Sequence, residues 1–98
     1  MKRLTCAALF LVFAQTAIGA DVMKGGQIYR VYCASCHGAG GTSTLANAPS
    51  FARGERLMQP DQMLLASIRR GRGAMPGFFG VLTDRDTLDV IAYLRTMR

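Results

Sequence analysis

One short stretch of this chain limits its possible folds more than any other. The five residues Cys33-Ala34-Ser35-Cys36-His37 bring two thiols and an imidazole together. His37 is the only histidine among the 98 residues, and Cys6 is the one cysteine outside the stretch. A group that needs thiol and imidazole ligands can therefore be held at one place only, and the rest of the chain must be arranged around it.

Residues 1–20 have the order of segments that is typical of a secretory signal peptide. A positive start, Met1-Lys2-Arg3, precedes an almost unbroken apolar run from Leu4 to Ala14, and Ile18-Gly19-Ala20 forms a finish with small residues. The run is about 11 residues long, whereas a helix that spans a bilayer needs about 20. We therefore expect cleavage after Ala20, export to the periplasm, and no stable insertion of the mature chain in a membrane.

The expected mature chain, residues 21–98, is a single domain of 78 residues. It loses Lys2 and Arg3 but no acidic residue, so its formal charge falls from +6 to +4. Half of the sequence is hydrophobic and 18% is charged, which excludes a disordered tail. The length excludes the large sheet of a nucleotide-binding enzyme, and a core of this size is marginal without a cross-link or cofactor.

Apolar spacing and helix-end signals predict an all-α fold of three main helices joined by loops. The helices are expected over 22–36, 61–70 and 84–97, with a short helical turn within 51–57. Thr83 and Asp86 form a capping-box pattern at the start of the last helix. In the middle helix, the spacing of Met63, Leu64 and Ile68 predicts that these side chains form the apolar stripe that packs on the core.

The stretch from Cys33 to His37 is a C-x-x-C-H motif, the attachment signature of a c-type haem. Its thiols can add to the two vinyl groups of the porphyrin, and the adjacent imidazole then becomes an axial ligand of the iron. A thioredoxin-like redox pair would need a strand–helix–strand unit, a structural zinc site would need four ligands, and a disulfide would close only a tiny loop. We therefore predict one covalently attached haem c, held by Cys33, Cys36 and His37.

The second axial ligand must come from elsewhere, and methionines are the candidates because the chain has no second histidine. Met75 lies between Gly73 and Pro76, in a loop whose backbone can pack closely against a porphyrin. Met58, also in a loop-like stretch, is one alternative, and an iron without a second protein ligand is another. We expect Met75 to be the ligand.

Five further features match a known pattern around such a motif. They are a glycine eight residues and a tyrosine four residues before Cys33, a tyrosine in the last helix, a proline after the motif and a Met-Pro pair: Gly25, Tyr29, Tyr93, Pro49 and Met75-Pro76. With the C-x-x-C-H motif, they make residues 21–98 resemble a class I c-type cytochrome, of the small monohaem kind found in the bacterial periplasm.

This resemblance implies a fold and a role for each matching residue. The fold is the small cytochrome c fold, in which three main helices and their loops wrap around one covalent haem. Gly25 and Tyr29 are expected to pack against Tyr93 near the haem edge. The Pro49 carbonyl is expected to accept the proton of the His37 imidazole.

An iron with two protein ligands has no open position for a substrate, and the sequence contains no Ser-His-Asp set, carboxylate pair or phosphate loop. We expect one-electron transfer between redox protein partners, no enzymatic activity, no small-molecule substrate and no nucleic-acid binding. Two alternatives stay open. The chain could be a cytochrome subunit bound permanently to an oxidoreductase, or a haem sensor or peroxidase-like protein from whose iron Met75 detaches.

Arginines flank both loops that are expected to contact the haem. One group precedes Met75 and the other follows Pro49: Arg69, Arg70 and Arg72, and Arg53 and Arg56. If they surround the exposed haem edge, the partner carries an acidic docking patch and association depends on salt. The alternatives are that the arginines are only solvated, or that one of them pairs with a haem propionate.

Overall fold

The computed structural model describes residues 19–98, together with residues 3, 5 and 7–11. Much of the predicted signal peptide, namely residues 1, 2, 4, 6 and 12–18, lies outside the described residues, so its cleavage stays a prediction. Among the residues that are described, no helix is long and apolar enough to cross a membrane.

Residues 21–98 fold into helices and loops in the predicted order. The helices are α1 (Val22–Tyr32), α2 (Ala34–His37), α3 (Asp61–Arg70) and α4 (Asp84–Leu94), with a 3-10 turn at Phe51–Arg53. The only β-type pairings in the described part of the chain are two isolated bridges, Arg72 with Met75 and Phe79 with Leu82. The prediction of an all-α fold with three main helices is confirmed.

The single first helix predicted over 22–36 is wrong at Cys33, where the helix is interrupted. Cys33 has φ −119°, far from the −63° of a regular helix, although its N–H still bonds to the Tyr29 carbonyl at 2.9 Å. The chain then makes one further turn, α2, in which the His37 N–H bonds to the Cys33 carbonyl at 3.0 Å. The interruption gives the C-x-x-C-H motif a short helical turn of its own.

Helices α1 and α4 pack on each other most closely at Gly25. A Cβ atom built on Gly25 would overlap the backbone carbonyl oxygen of Asp89 in α4, so no larger residue fits there. One residue further on, a Cβ on Gly26 would lie 3.0 Å from the ring of Tyr93. Glycine lowers the intrinsic stability of a helix, and here it allows two helix backbones to approach.

The core lies between α1, α3 and α4 and extends to the 3-10 turn. Its buried apolar residues are Tyr29, Phe51, Leu57, Leu64, Leu65, Val90, Ile91 and Leu94. The prediction that Met63 belongs to the buried stripe of α3 is wrong, since this side chain is 58% exposed. Helical residues are turned by about 100° from their neighbours. The face of α3 that packs inward is centred on Leu64 and Leu65, which turns Met63 toward solvent.

Candidate haem-binding site

A cavity of about 1070 Å³ lies beside the C-x-x-C-H motif. Its walls contain both cysteines and the histidine of the motif, and also Met75 from the loop after α3. Most of the remaining lining is apolar and comes from α3, α4 and the loops beside them, including Leu64, Phe78, Leu82, Val90 and Leu94. Two thiols, an imidazole and a thioether therefore share one large apolar cavity, and this is where a bound group can be held.

The backbone of α2 and its C-terminal cap is held in place by hydrogen bonds from two residues, Tyr29 and Thr44. The Tyr29 hydroxyl donates to the Gly38 carbonyl at 2.6 Å, and the Thr44 hydroxyl donates to the Ser35 carbonyl at 2.8 Å. The Thr44 N–H donates to the Cys36 carbonyl at 3.0 Å. Gly38 has φ 83°, a conformation that favours glycine, and it turns the chain sharply after His37. These hydrogen bonds and this turn set the backbone path of the motif.

The imidazole of His37 is buried, with 7% of its residue surface exposed, and its orientation is set by two contacts. Nδ1 lies 3.0 Å from the carbonyl oxygen of Pro49, and the ring stacks on Phe51 with centroids 4.6 Å apart. Because a carbonyl only accepts hydrogen bonds, Nδ1 must carry the proton. Nε2 then has a free lone pair and no hydrogen-bond partner among the described residues, which is the state that a metal ligand requires.

Both thiols of the motif are free and line the cavity, in different surroundings. Cys33 is half-buried, and burial raises the pKa of its thiol to about 11. Cys36 is exposed. Each thiol could add across a vinyl group of a porphyrin to form a thioether, so both could anchor a haem.

Met75 is placed in the cavity wall by a tight turn of its own loop. The N–H groups of Arg72 and Met75 each donate to the other residue's carbonyl at 3.0 Å, and Gly73 between them has φ 56°. Gly71 and Gly77 close the base of the loop, where a Cβ on Gly71 would lie 2.5 Å from the Gly77 nitrogen. Any side chain on these glycines would force the loop open, so the turn holds the Met75 thioether in the wall.

The alternative ligand, Met58, is 85% exposed and does not line the cavity. Of the methionines in the described residues, only Met75 lines the cavity with His37.

The other predicted site residues divide into two layers. Pro49 lines the cavity and also provides the carbonyl beside His37. Gly25, Tyr29 and Tyr93 do not line it and lie one layer behind the motif, with the two tyrosine rings 5.4 Å apart. Burial raises the pKa of Tyr29 to about 12, with a smaller contribution from Cys33. Of these three residues, Tyr29 bonds to the Gly38 carbonyl directly after the motif, and Tyr93 packs on Tyr29.

Sequence reasoning missed several cavity residues, of which Tyr32 and Phe78 are the largest. Their rings meet edge to face with centroids 5.8 Å apart, and Phe78 is buried although it lies in a loop. A usable signal was present for Phe78, since a large apolar residue three positions after Met75 in a loop needs something to pack against. Tyr32 gave no such signal, because its position in α1 does not distinguish an aromatic residue in the cavity wall from one that is exposed.

The arginines that were predicted to surround the site do so only in part. Arg53, Arg56 and Arg72 line the cavity, whereas Arg69 and Arg70 do not. Arg69 instead pairs with Asp84 at 3.4 Å and lies over the Phe79 ring, 5.2 Å from its centroid. The residues in and around the cavity fit a covalent haem: two thiols to anchor it, nitrogen and sulfur donors for the iron, apolar walls for the ring and cationic side chains for its carboxylates.

Comparison with known proteins agrees with this fit. Residues 20–94 match the family model described as cytochrome c oxidase, cbb3-type, subunit III. Cytochrome c6 from Thermostichus vulcanus is 34% identical over 91 residues, covering 89% of this chain and 80% of that protein. Cytochrome c6 from Synechocystis sp. is 38% identical over 84 residues, covering 81% and 68%.

A solved structure shows the same fold. The crystal structure of cytochrome c6 from the diatom Phaeodactylum tricornutum superposes with a TM-score of 0.66 at 28% identity, covering 79% of this chain and 93% of that one. The chain therefore belongs to the class I c-type cytochromes. Its cofactor is the single covalently attached haem c of that class, as the motif predicted.

Proposed function

We propose that the mature chain is a periplasmic one-electron carrier whose haem iron is bound by His37 and Met75. The observation that carries this proposal is that His37, with its Nε2 free, lines the same cavity as Met75 and both cysteines. A porphyrin anchored through Cys33 and Cys36 would have a nitrogen and a sulfur donor within one enclosure. His/Met ligation is the arrangement that raises the potential of a c-type haem.

The haem would supply a one-electron redox couple, and the residues around it would set its reduction potential. The Pro49 carbonyl fixes the His37 tautomer and makes Nε2 a better donor. Apolar walls disfavour the additional charge of the oxidised iron and so favour the reduced state. With both His37 and Met75 bound to the iron, no place would be left for a substrate, and we infer that the chain is not an enzyme.

The surroundings of the cavity support docking to an acidic redox partner. Arg56 and Arg72 line the cavity and form no ion pair within the described residues. Arg53, which also lines it, pairs with Glu55 at 3.0 Å. A carrier uses the haem edge for docking, so positive charge around the opening would steer an acidic patch toward the haem.

Permanent attachment to an oxidase is the second candidate function, because the family model describes an oxidase subunit. The similar proteins named cytochrome c6 favour the carrier instead. The size of the native holoprotein separates the two. A carrier elutes at the mass of one chain with its haem, whereas a subunit elutes in a large assembly or stays in the membrane fraction.

Export is part of this proposal. Residues 1–20 would direct the chain to the periplasm and be removed after Ala20, since Gly19-Ala20 supplies the small residues that cleavage requires. Haem attachment and electron transfer would then both occur outside the cytoplasm, on residues 21–98.

An absorbance spectrum combined with a redox titration of the exported holoprotein tests the proposal. We expect a six-coordinate low-spin iron in both oxidation states, a single one-electron transition, and a near-infrared band from methionine bound to ferric iron. Azide should not bind under these conditions. A high-spin ferric spectrum with ready azide binding would show an open iron position and would favour the sensor or peroxidase-like alternative.

A further inference from the structure

The Asp89 carboxylate is buried away from the haem cavity and has no role in the function described above. It lies in α4 on the side that faces α1, and the residue is only 1% exposed. Its one hydrogen bond within the described residues comes from the backbone N–H of Asp21, 2.8 Å from Oδ1. Asp89 thus lies where the chain enters α1.

This carboxylate has little compensation for its burial. A buried carboxylate is costly unless it is paired with a positive charge and well hydrogen-bonded. The nearest cation is Arg85, whose Nε lies 3.8 Å from Oδ1 and whose side chain is half-exposed. Arg85 is also engaged elsewhere, since its Nη2 donates to the Gly19 carbonyl at 2.9 Å. A neutral amide and a distant, shared guanidinium are a weak match for a buried negative charge.

The nitrogen that touches Asp89 belongs to the residue directly after the proposed cleavage site. Hydrolysis of the Ala20–Asp21 peptide bond adds one water, leaves a carboxylate on Ala20 and turns the Asp21 nitrogen into an α-ammonium. An amide donor at 2.8 Å from Asp89 would become a full positive charge at that position. The same cut removes the Gly19 carbonyl and releases the second donor of Arg85.

We propose that Asp89 is the binding site for the mature N-terminus, and that cleavage after Ala20 completes a buried ion pair between the Asp21 α-ammonium and the Asp89 carboxylate. The inference rests on the cleavage proposed above. The pair joins the start of α1 to the middle of α4, beside the point where Gly25 meets the Asp89 backbone. Processing of the chain would therefore strengthen the main helix–helix contact of the domain.

The neighbouring charges leave this pairing available. The Asp21 side chain already accepts the Lys24 N–H at 3.1 Å as the cap of α1, and the Lys24 ammonium pairs with Asp86 at 3.0 Å. An α-ammonium at the N-terminus of a helix is unfavourable by itself, because that end carries a partial positive charge. The Asp89 carboxylate would offset this unfavourable interaction, because it lies 2.8 Å from the Asp21 nitrogen on which the positive charge forms.

A double-mutant cycle on the holoprotein tests the proposal. One chain begins at Asp21 and a second carries a short glycine–serine extension before it, each with Asp89 or with Asp89→Asn. The extension keeps the N–H donor but moves the charge away, so we expect it to raise the unfolding equilibrium constant about tenfold in denaturant titrations, or ~1.4 kcal/mol. With Asp89→Asn the extension should have little effect.

Asp84→Asn is the matched control. It makes the same chemical change in α4, but Asp84 pairs with Arg69 rather than with the N-terminus, so the effect of the extension should persist. Equal stability of the extended and unextended chains with Asp89 present would overturn the ion pair, and this comparison stands even if Asp89→Asn does not fold. The mass of the naturally exported protein tests the cleavage site separately: a first residue other than Asp21 would overturn cleavage after Ala20.

Discussion

The hydrogen bond between His37 Nδ1 and the Pro49 carbonyl decides what the only imidazole of the chain can do. It fixes the proton on Nδ1, leaves a free lone pair on Nε2, and prevents the ring from turning out of the cavity. The stack on Phe51 adds a second restraint from the core. One main-chain oxygen and one aromatic ring thus fix the orientation of the His37 imidazole in the cavity wall.

Replacing Met75 with alanine tests the second ligand. We expect Met75→Ala to keep the haem covalently attached while opening one axial position. The near-infrared band should disappear, the reduction potential should fall, and azide should bind to the ferric protein. Absorbance spectra and a redox titration measure all three. Met58→Ala is the control and should match the parent protein. If it produced these changes in place of Met75→Ala, the assignment of Met75 would be wrong.

Tyr29 gives a prediction for alkaline pH. Burial raises the pKa of this phenol from 10.0 to about 12. The unfolded chain therefore releases the proton at lower pH than the folded one, and the free energy of unfolding falls as the pH rises from about 10 to about 12. In Tyr29→Phe this loss is absent, although the variant is less stable at pH 8 by about 1 kcal/mol, since the Gly38 carbonyl loses its donor.

The measurement for Tyr29 is the difference in unfolding free energy between parent and Tyr29→Phe holoproteins at several pH values. Titrations of lysines and arginines common to both cancel in that difference. The parent's advantage should shrink between pH 10 and pH 12. An advantage that stays constant over this interval would contradict a raised pKa for Tyr29.

The contact between α1 and α4 depends on the absence of a side chain at one position. In Gly25→Ala, the added methyl group would overlap the Asp89 carbonyl and push the helices apart. Alanine favours a helix by about 1 kcal/mol over glycine, but we expect overlap with backbone to outweigh this gain and to destabilise the holoprotein by about 2 kcal/mol or more. Gly40→Ala is the control, since a Cβ there meets nothing within 4 Å. Equal stability of both variants in denaturant titrations would show that the helices adjust freely.

At the level of elements, the sequence was informative where a local signal decides the structure. The capping box of α4 forms as predicted, with the Asp86 N–H donating to the Thr83 hydroxyl at 3.0 Å and the Thr83 N–H donating to Asp86 at 3.2 Å. The glycines around Arg72 end α3 where they were expected to. These features depend on residues within one helical turn, so a single sequence is enough to predict them.

Features that depend on tertiary contacts were not predictable in the same way. The interruption at Cys33 follows no helix-breaking residue, since neither glycine nor proline is near it. The exposure of Met63 depends on which face of α3 meets α4. Met63, Leu64 and Leu65 are consecutive apolar residues, so the sequence alone does not show which of them face inward. The position of Tyr32 in the cavity wall required the path of the loop that carries Phe78. The motif, Pro49 and Met75 were predictable, but most of the apolar walls around them were not.

Over the whole molecule, positive charge is distributed unevenly around the cavity. Arg53, Arg56 and Arg72 line it, while Arg69 and Arg70 lie outside the lining and Arg69 is held by Asp84. The five arginines that were grouped by sequence thus form two sets with different surroundings. This separation allows a comparison between two double variants that have the same net charge and differ in the position of the charges removed.

Replacing Arg56 and Arg72 with glutamine should slow electron transfer to an acidic partner at low ionic strength, while Arg69→Gln with Arg70→Gln should slow it much less. Both pairs remove two positive charges, but steering depends on charge near the docking edge. The loss should lie in the association rate, and it should shrink as the Debye length falls from about 30 Å at 0.01 M salt to about 10 Å at 0.1 M. Stopped-flow kinetics against ionic strength measures this.

Either arginine could instead pair with a haem carboxylate. The reduction potential of each single variant is therefore titrated first, and a shifted potential with an unchanged association rate would indicate that role. Equal slowing by the two pairs would show that only net charge matters and that no docking face surrounds the cavity.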